Sequence, residues 1–226
     1  MLSIVETREW KNAHPGALIG LLELSDLDNT QPSPELETLK REIEATLRTR
    51  YQDFSRQDFV SLPIMGAYKK HYQGFKKTYH VLQQVESIAL KGRNLPKVSP
   101  LVDANFIAEM ETFVLTAGHD VAKLVAPIQI DVSRDGDQIT QMNGETKPMR
   151  VGDMVMRDAD GVSCSIIYGQ DNRSPITPKT SHVLYVAYAP VGVSAEAVNA
   201  QLEKIETLVR IVSPDVVVEQ RRIIAA

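Results

Sequence analysis

"GDMVMRDADGVSCSIIYGQDNRSPITPKTSHVLYVAYAP", residues 152–190, is the stretch on which the fold turns. Residues 154–157 and 162–168 carry bulky side chains at period two on either side of "DADG", the composition of a β-hairpin. Residues 182–189 repeat the signal with Val, Leu and Tyr. Between the second and third strands lie residues 169–181, far more than the two to five a tight hairpin needs. A loop of that length usually has a function, and this one carries Gln170, Asp171, Arg173 and Thr177.

Working upstream, residues 128–132 and 138–142 read as short strands punctuated by "RDGD" and "NG". "GHD" at 118–120 reads as a turn that closes the preceding helix, because Gly and short polar residues dominate such turns. Before it the period lengthens to about 3.6. Residues 33–51 form a helix capped by Ser33 with Pro34 at its first position and a stripe of Leu36, Leu39, Ile43, Leu47 and Tyr51. Further helices are expected over 64–73, 79–91 and 101–115. Downstream, Ser194 caps a helix to Val212, and "VVVEQRRII" supplies an edge strand. Residues 17–24, "ALIGLLEL", read as a buried strand. Helices followed by hairpin-linked strands define an α+β fold with a mixed or antiparallel sheet.

Composition narrows the class. With 226 residues, 43% hydrophobic and 24% charged, the chain is of ordinary globular type, and a single compact unit over 1–226 is expected. No apolar run reaches membrane-spanning length, and residues 1–10 lack a secretory pattern, so no membrane partner is expected. The lone Cys164 fits a reducing, cytoplasmic setting. Net charge is −4, which argues against indiscriminate nucleic-acid binding and gives no reason to expect DNA as a partner. The basic residues nevertheless cluster. Lys69, Lys70, Lys76, Lys77, Lys91, Arg93 and Lys97 are opposed only by Glu86. Tyr68, Tyr72, Phe75 and Tyr79 lie among them, either as stacking rings or as core behind a solvated face.

No phosphate loop, dinucleotide glycine fingerprint or zincin helix is present, and no serine occupies a nucleophile elbow. Cys164 alternates with Val162 and Ile166, as a core thiol would. An enzyme of this composition would act through positioned water, with no cofactor and no metal.

"LKGRNLPKVSPLVDANF", "TAGHDVAKL" and the 152–190 stretch together resemble the B3/B4 domain of the phenylalanyl-tRNA synthetase β subunit, and more closely the free-standing B3/B4 proteins of bacteria. The likeness runs over about 64–212, with residues 1–63 as an N-terminal helical extension. It implies a pocket between the sheet and the helix near Leu101, walled by the 169–181 loop. It also implies trans-editing, the hydrolysis of a mischarged aminoacyl-tRNA, with canavanyl-tRNA one candidate. Asp171 and His119 are then the expected catalytic groups. Asp103, Asn105, Asp120, Tyr168, Gly169, Gln170 and His80 are expected to bind substrate, and Lys69, Lys70, Lys76, Lys77, Lys91 and Arg93 to meet the tRNA acceptor end. Two departures stand out: "AGHDVAK" is shorter than the synthetase turn, and "YGQD" replaces its Gly-Gly-acid stretch. Rival readings are a non-catalytic RNA-binding module and a protein that binds a free amino acid. Asp103 has a structural alternative as a first-turn charge on its helix.

Overall fold

A computed structural model describes all of residues 1–226. The chain opens with β1 (Ile4–Glu6), α1 (Arg8–Ala13) and β2 (Leu18–Ser25). Five helices follow: α2 (Pro34–Tyr51), α3 (Arg56–Ser61), α4 (Pro63–Gly74), α5 (His80–Ala89) and α6 (Pro100–Thr112). Eight strands come next: β3 (Thr116–Asp120), β4 (Ile128–Val132), β5 (Gln138–Thr140), β6 (Thr146–Pro148), β7 (Met154–Asp158), β8 (Gly161–Ser165), β9 (Gly169–Gln170) and β10 (Val183–Ala189). The chain closes with α7 (Ala195–Val212) and β11 (Val217–Ala225).

Local chemistry sets these limits. The Ser33 hydroxyl accepts the Leu36 N–H to start α2, and Ser194 does the same for Ala197 at α7. α6 stops at Thr112 because Phe113 turns left-handed, at φ 62°. That is earlier than the expected Leu115. The missing residues are needed elsewhere, since Thr116–Asp120 is a strand and not the turn that "GHD" predicts. β3 pairs antiparallel with β10, which sets His119 opposite Leu184. β8 likewise ends at Ser165, short of Tyr168, and the chain folds back as β9 onto Cys164 and Ser165.

Two sheets result. One has the order β1-β4-β7-β8-β9, the other β11-β2-β10-β3, and every pairing is antiparallel except β1 with β4. The predicted buried strand near the N-terminus is β2, held between β10 and β11. α7 crosses β2 at Gly20, where a Cβ would come within 2.5 Å of Val198. α6 packs on α7 and α2, and one continuous core runs from Ile4 to Ile224. The fold is α+β, with a mixed sheet and an antiparallel sheet packed with helices. No helix is long and apolar enough to cross a membrane.

The tyrosines of the basic segment belong to this core. Tyr68 and Tyr79 stack at 4.1 Å and, with Tyr72, are fully buried. Tyr68 donates to Tyr188 O and Tyr79 to Phe113 O, so no stacking platform for bases exists there.

Candidate functional site

A cavity of about 370 Å³ opens between α5, α6, β3 and the 169–181 loop. α5 contributes His80 and Gln84 to its wall, and α6 contributes Val102, Asn105, Phe106 and Glu109. Gly118, Gly169, Gln170, Pro175 and Ile176 close the opposite side over Cys164. The long loop is a fixed wall. Pro175 bridges to His119 and Asp171 to Gln141, and Thr177 O accepts Asn29 Nδ2 at 2.7 Å. The same Asn29 accepts the Leu101 N–H, tying the loop to the start of α6.

Four of the expected substrate-binding residues line the cavity: His80, Asn105, Gly169 and Gln170. His119 and Asp171 do not. His119 is fully buried behind Gln170, its Nδ1 2.8 Å from Ser174 Oγ and 3.3 Å from Gln170 Nε2. Burial, with Arg173 nearby, pushes its pKa down to about 3. It is a neutral prop and not a base within reach of substrate. Asp171 is buried as well, accepting from Ser174 and lying 2.5 Å from Arg173 Nε. His119 of β3 and the loop residues Gln170 and Asp171 thus converge on one network in which only Gln170 lines the cavity.

Three further expectations are corrected. Asp103 is spent on Lys40, fully buried on α2, at 2.9 Å. Asp120 caps the short turn after β3 and accepts from Thr180 at 2.8 Å. Tyr168 points away, its hydroxyl accepting the Arg150 N–H at 3.1 Å and its ring under Lys77. In each case sequence shows a polar residue near the right segment but not the direction of its side chain.

Glu109 is the residue that sequence reasoning missed. It is 4% exposed and is the one carboxylate in the wall. Its Oε1 accepts the Thr116 N–H at 2.7 Å, and burial raises its pKa to about 8. The only sequence signal is its place four residues after Asn105, which puts two polar residues on one side of the helix. Burial likewise pushes the Cys164 thiol up to about 12, so no thiolate forms near neutral pH. The Ser165 hydroxyl is committed to the Asp153 carboxylate.

Lys70, Lys76, Lys77, Lys91 and Arg93 are exposed, and Lys69 half-buried. None of the six pairs with a carboxylate, whereas Lys40, Arg41, Arg48 and Arg56 all do. Lys77 lies over the ring of Tyr168, which precedes Gly169 of the cavity wall, and none of the six lines the cavity itself.

No curated protein matches the chain. Among solved structures, an N-terminal fragment of the phenylalanyl-tRNA synthetase β subunit from Pyrococcus horikoshii is similar at 11% identity with a TM-score of 0.48. The match covers 98% of this chain but 50% of that fragment, so the chain spans half its length. Residues 65–220, roughly two-thirds of the chain, match the B3/4 domain, and they include α5, α6, β3 and the loop that together wall the cavity. The chain therefore belongs to the B3/4 domain family.

Proposed function

We propose that this protein hydrolyses the ester of a mischarged aminoacyl-tRNA in trans, with canavanyl-tRNA one candidate substrate. The observation that carries this reading is a small cavity with a buried carboxylate in its wall, in a protein whose basic run carries cations without carboxylate partners. At about 370 Å³ it suits an aminoacyl group with part of its nucleoside and not folded RNA, which must stay outside. An aminoacyl ester is already activated, so the site need only hold it and aim a water. Water oxygen attacks the carbonyl carbon, the bond to the ribose oxygen breaks, and that oxygen takes up a proton. With the Cys164 thiol protonated and the Ser165 hydroxyl engaged, water is the nucleophile this wall favours. Gln170, braced by Ser174 O at 2.9 Å and by His119, orients the acyl group.

The test is a panel of tRNAs charged with correct and incorrect amino acids. One mischarged species should lose its acyl group, at least tenfold more slowly in Gln170→Ala, while Cys164→Ala stays within about twofold of the parent. If no charged tRNA is hydrolysed and a free amino acid binds, the cavity is a small-molecule site instead.

The basic run gives an independent check. Exchanging Lys70, Lys76 and Lys77 for Glu should weaken tRNA binding and flatten its salt dependence by roughly 0.7–0.9 in log–log slope for each phosphate no longer neutralised. Hydrolysis of an aminoacyl-adenosine, which carries no stem phosphates, should continue at the parent rate.

A further inference from the structure

Two polar side chains of the cavity wall each keep an oxygen that no other group of the protein engages: Asn105 Oδ1, which is buried, and Glu109 Oε2. Asn105 and Glu109 are one turn apart on α6, so their side chains share a face. Asn105 Nδ2 donates to Thr116 O at 3.0 Å, which fixes the amide's orientation and leaves Oδ1 buried without a donor. Glu109 uses Oε1 for the Thr116 N–H, and neither hydrogen bond nor ion pair reaches Oε2. Both side chains are more than nine-tenths buried. No Lys or Arg lines the cavity. A buried acceptor is seldom left unmatched, so Asn105 Oδ1, one turn from the Glu109 carboxyl in the same wall, defines a missing donor.

Geometry also limits what the donor is. Glu109 opens the last turn of α6, where unpaired carbonyls favour positive charge, and Asn105 lies one turn before it. A planar guanidinium seeks both oxygens of a carboxylate, but one oxygen of Glu109 is already taken. A compact ammonium, with donors fanning from a single nitrogen, can address Oε2 and Oδ1 together.

We propose that Asn105 and Glu109 form the subsite for the α-ammonium group of an aminoacyl ester, so that the cavity accepts acyl groups with a free primary amine and rejects N-acylated ones. The ligand's identity as an aminoacyl group rests on the deacylase reading; the demand for a primary ammonium does not. The empty site holds Glu109 protonated at neutral pH, since its pKa stands at about 8. The proton is on Oε2 because Oε1 accepts from Thr116, and only the ionised form offers Oε2 to a donor. Binding an ammonium therefore ionises it, and one proton leaves for solvent. The titratable groups facing it are His80 of α5, Cys164 of β8, and Tyr185 and Tyr188 of β10, with Tyr68 and Tyr72 of α4 and Tyr79 behind, the last two also held protonated by burial. Burial holds the phenols and the thiol protonated in that range, so the released proton comes from Glu109.

The experiment uses non-hydrolysable 3′-aminoacylamido-3′-deoxyadenosines carrying alanine, serine, tyrosine or arginine, each with a free or an acetylated amine. Calorimetry at pH 6.5 in two buffers of different ionisation enthalpy reads affinity and proton release together. At least one free-amine compound should bind about 100-fold tighter than its acetylated partner and release close to one proton. In Glu109→Gln the preference should fall below about fivefold and the proton release disappear, in a variant shown to be folded by its melting curve. Equal affinity for both forms, undiminished preference in Glu109→Gln, or binding of neither form overturns the subsite. If the free-amine preference holds but no charged tRNA is hydrolysed, the subsite stands and the deacylase reading fails. If charged tRNA and its N-acetylated form are hydrolysed at the same rate, the deacylase stands and the subsite falls.

Discussion

Asp103→Ala is expected to cost the fold about 3 kcal/mol, measured by urea denaturation, because it strands a buried ammonium. Lys40 is fully buried, and its Nζ lies 2.9 Å from Asp103, 3.0 Å from Pro96 O and 3.0 Å from Glu37. Glu37 is 36% exposed, so its share of the pairing is screened and cannot replace a buried carboxylate. The Asp103 carboxylate also accepts the Val98 N–H, which holds the chain entering α6. The double variant Lys40→Met with Asp103→Leu should recover most of the loss, since replacing both charges removes the stranded group. A substrate-binding Asp103 predicts the opposite pattern. Stability would then change little, and ligand affinity would fall in the single and double variants alike.

The pair illustrates what the sequence does and does not carry. Asp103 has the spacing of a first-turn helix charge, and that structural alternative is near the mark, but its partner lies 63 residues away on α2. Nothing local marks Lys40 as buried, since nothing in the sequence sets it, or the equally buried Glu44, apart from the other charges of that helix. α2 and α7 were legible because each has a capping serine and a single apolar stripe. β3 was not. "TAGHD" has neither β-branched alternation nor length, and it is a strand only because β10 offers it an edge. The cavity wall was half legible on the same grounds. Gly169 and Gln170 stand out as loop residues between strong strands. Glu109 sits in a helix buried nearly all round, where a glutamate in sequence looks like any surface charge.

Glu109→Gln is expected to stabilise the protein at alkaline pH while abolishing the ammonium subsite. In the unfolded chain this carboxyl loses its proton near pH 4.3; in the fold it keeps the proton until about pH 8. Across that window the unfolded state binds fewer protons than the native one, so stability falls as pH rises and levels off above 8. The total is on the order of 3–5 kcal/mol, at 1.36 kcal/mol for each unit by which the two values differ. Asp153, raised by burial to about 7, slopes the same way and remains in the variant. His119 and His71, lowered by burial to about 3 and about 4, act on the other side, and their contribution is lost as pH falls below 6.5. Urea melts of parent and Glu109→Gln should therefore nearly coincide at pH 4 and diverge up to pH 9, the glutamine form being the more stable. A glutamate kept for structure would make the variant weaker at every pH, since its hydrogen bond to Thr116 N would only be diminished. In the proposed subsite, the stability lost when Glu109 ionises is offset by the cation it then pairs with.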